Sequence, residues 1–259
     1  ITQSAFADFT ERGGGAEAGT GMPPGSAVIS GYDRRRDTPY VNQTFFGSQG
    51  GGANCDTDGW LTFLLPVTAG VLYRDSVEVA EDKYPIVIKE MRVLTDTGGP
   101  GYRRGAPGSR VVYGPTHDPM RVVYLGDGHE TPPRGVKGGK DGVGTSAAKV
   151  SETGEELELP NQGEATIEPD AWIVGVQSSG GGYGNPIERE PERVLTDVYE
   201  RFVSVEAARE EYGVVIVETG DPGRRLEIDL AATEELRRTR SGAFESERVR
   251  GRSRSGRAR

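Results

Sequence analysis

Glycine and proline interrupt this chain so often that little room remains for long helices. There are 39 glycines and 16 prolines among 259 residues, and both residue types mark turns and break regular elements. Between the breaks the apolar residues come in short runs. From about residue 26 to 178 these runs alternate with turn clusters: SAVISGY (26–32), YVNQTFF (40–46), WLTFLL (60–65), PIVIKEMRVL (85–94), SRVVYG (109–114), MRVVYL (120–125) and WIVGVQ (172–177). Several are rich in β-branched residues and partly alternate apolar with polar, the pattern of a half-buried strand. Alternation is imperfect in 85–94, where Ile86, Ile88, Glu90, Arg92 and Leu94 would share one mixed face. The reading is a mainly β (α+β) fold, a β-sandwich or barrel-like body over 26–178 with C-terminal amphipathic helices. Residues 1–25, rich in Gly, Ala and Pro with little periodicity, read as an extended or loop lead-in.

The final third changes character. In EPERVLTDVYERF, Pro191 suits a first helical turn, where its missing N–H costs nothing. Val194, Leu195, Val198, Tyr199 and Phe202 then fall on one helical face. Ser204 is the expected N-cap of VEAAREEYG and Gly213 its stop. GVVIVETGDPGRRLEIDL reads as a hairpin around a DPG turn, followed by a short helix in AATEELRRTR. Residues 179–240 therefore form a glycine loop, helices and a hairpin, expected to dock on the β body or on a partner. Residues 241–259 read as a basic, disordered tail.

Charge and hydropathy restrict the function classes. From Arg237 onward there are nine arginines and two glutamates, a surplus of +7, which leaves −16 on residues 1–236 against a net charge of −9. An acidic body argues against nucleic acid as the main partner. Mean hydropathy is −0.55, and no apolar run reaches the ~20 residues that span a bilayer. No signal-peptide pattern opens the chain, and a first residue of Ile1 reads as a fragment or processed product. Cys55 is the single cysteine, so no intrachain disulfide forms and a cysteine-based zinc site is disfavoured. With acids and glycines around it and no adjacent cation, Cys55 reads as a spectator thiol. The expected compartment is the cytoplasm.

Few motifs carry chemistry. The run GGGYG (180–184) follows a strand-like segment, so its N–H groups could face an anion, but no Lys-Ser/Thr pair follows and Asn185-Pro186 does. A tight structural turn is the favoured reading. RGVKGGKDGVG (134–144), with Lys137 and Lys140, looks more like an anion cradle yet matches no nucleotide motif; a loop packed against a partner or lining a pocket is the reading taken. His117 and His129 are the only histidines, and metal sites need several converging ligands. Each has an acid nearby, His117-Asp118 and Asp127-x-His129, in a proline-bounded loop. Asp127 and His129 are the pocket candidates, because polar side chains in a Pro/Gly-framed loop can point into a cleft. Asp56/Asp58 and Glu155/Glu156 read as surface charge rather than acid/base pairs.

The order and wording of SSGGGYGNPIEREPERVLTDVYERFVSVEAAREEYG (178–213) resemble the C-terminal end of the hydantoinase B/oxoprolinase family. FFGSQGGGANCDTDGW (45–60) is similar to the family's glycine-rich segment. DSVEVAEDKYPIVIKEMRVLTDTGGPGYRRGAPG (75–108) resembles its most distinctive block, with Thr97 where the family's turn has serine. DGHETPPRGVKGGKDG (127–142) and IDLAATEELR (228–237) match further blocks in order. The resemblance implies the C-terminal portion of the B-type subunit of ATP-dependent hydantoinases, 5-oxoprolinases and acetone/acetophenone carboxylases. Implied partners are the N-terminal half of that subunit, an actin-like ATP-binding A-type subunit, and a small cyclic amide or ketone, with neither nucleic acid nor membrane. Implied cofactors are ATP/Mg on the partner and a divalent metal in the N-terminal half, with none held by this chain. The implied activity is ATP-dependent opening of cyclic amides by the complex, the chain being inactive alone. A ketone carboxylase, or a non-catalytic assembly subunit, is the alternative.

Overall fold

The computed structural model describes residues 2–10, 13–19, 21–61, 76–126, 128–221 and 224–240. The chain divides into two compact units, residues 1–186 and 187–259. The first is built of antiparallel strands. One sheet centres on β6 (Met120–Gly126), which pairs with β9 (Gln162–Ile167), β2 (Val28–Asp33) and the short β1 (Gly21–Met22), with β3 (Thr38–Gln43) beyond β2. The other runs in the order β4 (Ile86–Val93), β5 (Ser109–Pro115), β10 (Ala171–Val176), β7 (Ser146–Ser151), β8 (Glu156–Glu158).

Side-chain alternation explains why the two sheets form a sandwich. In β6, Met120, Val122 and Tyr124 are buried while Arg121, Val123 and Leu125 are exposed, as a strand with one face on a core requires. The inward residues of β6 meet Ile29, Ile167, Val111, Tyr113 and Ile173 in one cluster. Fully burying a side chain of this size contributes roughly 1.5–3 kcal/mol. Tyr113 satisfies its hydroxyl inside the core by donating to the Pro24 carbonyl at 2.8 Å, and Phe46 packs edge-on against its ring at 5.2 Å. Burial pushes the Tyr113 phenol well above its usual range.

The uneven pattern of 85–94 has a specific cause. Pairing of β4 with β5 slips between Ile88 and Glu90, so Ile88 faces Tyr113, Glu90 faces Val112, and Lys89 is the extra residue of a β-bulge. The slip corrects the mixed face: Ile86 and Ile88 side with the core, whereas Glu90 and Arg92 move to the opposite face. There Glu90 pairs with both Arg92 and Arg110, and the bulged Lys89 places its ammonium 3.4 Å from the centroid of the Trp172 ring.

Helix α2 (Val77–Lys83) is capped by Ser76, whose hydroxyl accepts from the Val79 N–H. The β2–β3 turn is tied to its C-terminus. Arg35 donates to the carbonyls of Glu81 and Asp82, and Arg36 to those of Asp82 and Lys83, which satisfies groups a helix end leaves open. Both guanidiniums converge on the carboxylate of Asp33, at 3.0 and 3.1 Å. The hydrogen bond from Arg35 leads in holding the Asp33 carboxyl down at about 2, below the unfolded value of about 3.9. A depressed carboxyl stabilises the fold above its unfolded pKa and loses that contribution as it protonates. Acid melting curves are therefore expected to show stability falling from about pH 4 to pH 2, and Asp33→Asn is expected to flatten that part of the profile.

The lead-in differs from expectation. Thr2–Phe9 form helix α1, and beyond it Ala16 and Glu17 join other segments through backbone hydrogen bonds. The strand expected over 60–65 falls mostly among residues 62–75, outside the described residues, as do the Pro222-Gly223 turn and the tail 241–259.

In the second unit, α3 (Pro191–Tyr199) has Pro191 in its first turn, and α4 (Val205–Tyr212) is capped by Ser204, whose hydroxyl accepts from the Ala207 N–H at 3.0 Å. Gly213 ends α4 in the left-handed region at φ 63°, where a Cβ is disfavoured. Hairpin β11 (Ile216–Asp221)/β12 (Arg224–Ile228) follows, then α5 (residues 230–240). Val194, Leu195, Val203, Ala208, Tyr212, Val214 and Ile216 form a core within the unit. Ser204→Ala is expected to cost about 1 kcal/mol, read as a small downward shift of the denaturant midpoint, with Ser204→Asp restoring it. Among the described residues no helix is long and apolar enough to cross a membrane.

Candidate functional site

The glycine-rich stretches outside the strands come together as a backbone knot. Gly180–Gly184 lie at its centre, and every N–H of that run is already donated: to the carbonyls of Ala106, Glu17, Lys140, Arg103 and Val136 in turn, at 2.8–3.0 Å. A buried backbone group needs a partner, and here three other segments, at residues 17, 103–106 and 136–140, supply it. No N–H of the run remains for a phosphate, so the structural-turn reading holds and the anion reading does not. Glycine is required by close approach. A Cβ on Gly180 would lie 1.9 Å from the Gly51 carbonyl oxygen, one on Gly105 2.0 Å from that of Gly180, and one on Gly139 2.2 Å from that of Gly182. The expected boundary at 178/179 shifts accordingly, because this backbone pairing places the glycine loop in the first unit.

Loop 134–144 is folded onto the knot. Val136 N–H reaches the Gly182 carbonyl and Lys140 N–H the Pro100 carbonyl, at 3.0 and 2.7 Å. The Gly135 N–H is held by Asp141 Oδ1 at 2.9 Å. Lys137 (φ 56°) and Gly138 (φ 93°) are the centre of a tight turn closed by Gly139 N–H to the Val136 carbonyl, the positive-φ pair of a type I′ turn. With these donors engaged, the loop offers side chains rather than a backbone cradle.

Those side chains line a cleft of about 550 Å³ that includes Ser4, Glu17, Thr131, Arg134 and Lys137. Glu17 is its fixed point. Its backbone bridges Arg134 and Gly181, donating to the Arg134 carbonyl and accepting from the Gly181 N–H. Its carboxylate accepts from the Ser4 hydroxyl at 2.8 Å and the Arg134 N–H at 3.2 Å. Burial works to raise its pKa, but the Ser4 and Arg134 hydrogen bonds win, and the carboxyl sits below its ordinary value. Lys137 extends across the rim and donates to the Thr10 carbonyl at 3.0 Å. A carboxylate held ionised beside Arg134 and Lys137 can bind a polar ligand by charge and hydrogen bonds.

Of the sequence-derived candidates, His129 is exposed and its Nδ1 lies 3.2 Å from the Thr145 carbonyl oxygen. Its near neighbour Thr131 reaches the cleft lining. Asp127 lies outside the described residues. His117 is exposed. Cys55 has Asp56 as a neighbour, Sγ to Oδ2 3.4 Å, which opposes thiolate formation. Among the described residues no three His, Cys, Asp or Glu side chains converge as metal ligands. No motif in the sequence marks Glu17; its one signal there is that it is the sole charged residue between Arg12 and Asp33.

Comparison with known proteins agrees with this architecture. The hydantoinase B/oxoprolinase family description matches residues 1–186, the same span as the first compact unit. The beta subunit of caprolactamase from Pseudomonas jessenii is 34% identical over 212 residues, covering 79% of this chain and 35% of that protein. The B-type subunit of a putative D-/L-hydantoinase from Pseudomonas sp. (strain NS671) is 36% identical over 164 residues, covering 62% of this chain and 26% of that protein. The chain thus spans about a third or less of these relatives. Among solved structures, ATP-dependent caprolactamase from P. jessenii superposes with a TM-score of 0.68 at 29% identity, over 85% of this chain and 38% of that one. Nucleotide-free acetone carboxylase superposes with a TM-score of 0.71 over 87% of this chain and 35% of that one, at 19% identity, a likeness of fold alone. With a family match over more than half its length and the same antiparallel architecture, this chain belongs to the hydantoinase B/oxoprolinase family.

Proposed function

We propose that the chain is the C-terminal part of the B-type subunit of an ATP-dependent cyclic-amide hydrolase, acting as one component of a cytoplasmic complex and inactive alone. The observation that carries the reading is the 34% identity to the caprolactamase beta subunit across 79% of the chain, since caprolactam is a cyclic amide. The remaining part of the B-type polypeptide, with any divalent metal, and an actin-like A-type subunit holding ATP/Mg complete the assembly. Amide resonance makes ring opening slow, and activation of the ring amide at the expense of ATP overcomes it. In this assignment the residues of this chain bind and orient: Glu17 and residues 134–138 line the cleft, and Asp127 and His129 are further pocket candidates.

A ketone carboxylase is the second reading, favoured by the fold shared with acetone carboxylase; the higher identity to the caprolactamase structure ranks it second. The test is ATP turnover by the complex isolated through a tag on this chain, supplied with ε-caprolactam, hydantoin, 5-oxoproline, or acetone plus bicarbonate. ATP consumption that depends on one ring amide is the expected result, with alanine at Glu17, Asp127 or His129 lowering it at least tenfold. Consumption that requires ketone and bicarbonate overturns the hydrolase. Unchanged turnover in all three variants assigns the chain a purely structural part.

A further inference from the structure

We propose that an apolar strip on the first unit, running from α1 through residues 51–61 to the end of β4, is the docking surface for the rest of the B-type polypeptide. The identity of the partner rests on the reading above. The strip begins on α1, where Ala7 is fully buried and holds the helix in place, while Phe6 and Phe9 remain 57% and 82% exposed. Phe6 shares a cleft of about 340 Å³ with Gly14, Gly52 and Asn54. The same loop continues to Trp60, whose carbonyl accepts the Gly51 N–H at 2.9 Å and whose side chain is 63% exposed. Leu61, beside it, borders a second cleft of about 100 Å³ with Met91 and Val93, themselves 45% and 44% exposed.

Singly exposed apolar residues are ordinary, whereas a connected run of aromatic and aliphatic side chains on a small protein marks an interface. Four of the six such side chains here line the two clefts, Phe6 the first and Leu61, Met91 and Val93 the second, and the 52–61 loop contributes to both. The coverage of the relatives says what lies over them. The chain aligns with only 35% of the caprolactamase beta subunit, so most of the family's B-type polypeptide is absent from this unit. That polypeptide, whether joined to this chain or separate from it, is the occupant.

The experiment is carbene footprinting of the full chain, alone and in the complex isolated from its source, with cross-linking mass spectrometry to identify what covers the strip. At least fivefold protection of Phe6, Phe9, Trp60, Met91 and Val93 is expected in the complex, with cross-links to sequence aligning with the part of the caprolactamase beta subunit outside the match. Val41 and Leu157, 71% and 61% exposed elsewhere, serve as controls and are expected to label equally in both states. The Phe6→Ser/Phe9→Ser double variant is expected to melt like the wild-type chain and to recover at least tenfold less complex. Equal labelling of the strip in both states overturns the proposal. So does protection already present in the isolated chain, cross-linking to a second copy or to an unrelated protein, or recovery of the chain without any partner. Protection as expected in a complex whose ATP turnover ignores cyclic amides leaves the surface standing and removes the hydrolase.

Discussion

Replacing Gly180 by alanine is expected to prevent residues 1–186 from reaching a stable fold. The backbone of Gly180 is not in the left-handed region, so the requirement is one of space and not of conformation. The added Cβ would lie 1.9 Å from the Gly51 carbonyl oxygen, 2.3 Å from its carbon and 2.7 Å from the Gly52 nitrogen. All three atoms are backbone, and Gly51 is tied elsewhere at both ends: its N–H to the Trp60 carbonyl, and its carbonyl to the Ala106 N–H. Relief would separate segments that satisfy each other's buried donors. Such damage belongs with the rare substitutions that cost about 4 kcal/mol or more, against a domain stability of about 5–15 kcal/mol. Thermal melting followed by circular dichroism would show a lost or strongly lowered transition. Gly220→Ala, with nothing within 4 Å of the new methyl, is expected to melt like wild type. Equal melting of the two variants would refute the knot as a rigid element.

Arg189→Ala is expected to have the largest effect in the second unit. The side chains of Arg189 and Asp197 are 2% and 7% exposed, and the guanidinium donates to Asp197 Oδ2 through Nη2 at 2.8 Å and Nε at 3.1 Å. Arg237 extends the lock, donating from Nη2 to the carbonyls of Arg189 and Tyr212 at 2.7 and 3.0 Å; burial lowers the Arg237 pKa. Removing one partner of a buried pair strands the other charge, at a cost of about 3–5 kcal/mol. Replacing both with apolar residues of similar size costs far less by the same logic. Hydrogen exchange at the amides of α3 and α4 is the readout. Faster exchange in Arg189→Ala, with recovery in Arg189→Met/Asp197→Leu, is the expected pair of results. Unchanged exchange in the single variant would show that the pair contributes little.

What the sequence discloses depends on whether the cause is local. The second unit is read closely because its signals lie within a few residues of their effect: Pro191 at a helix start, Ser204 as N-cap, Gly213 as stop. β6 is legible for the same reason, its alternation running without a break from Met120 to Gly126. β4 misleads because one bulged residue, Lys89, reverses the face of everything after it. β7 and β9 go unread because Ala147, Ala148, Gly163 and Ala165 supply little β-branched signal, although their neighbours pair them fully. The knot is the extreme case. It is made by carbonyls and N–H groups of segments far apart in sequence, so only glycine density announces it, and the partners of each glycine cannot be read along the chain. Glu17 shares that difficulty, since its place depends on Arg134 and Gly181.

The most direct measurement is lactam-dependent ATP hydrolysis by the A-type subunit together with the remainder of the B-type polypeptide, assembled with and without this chain. ATP consumption that appears with ε-caprolactam or another cyclic amide only when this chain is added is the predicted result. Full turnover without it, or turnover that requires a ketone and bicarbonate in place of the ring amide, would contradict the assignment.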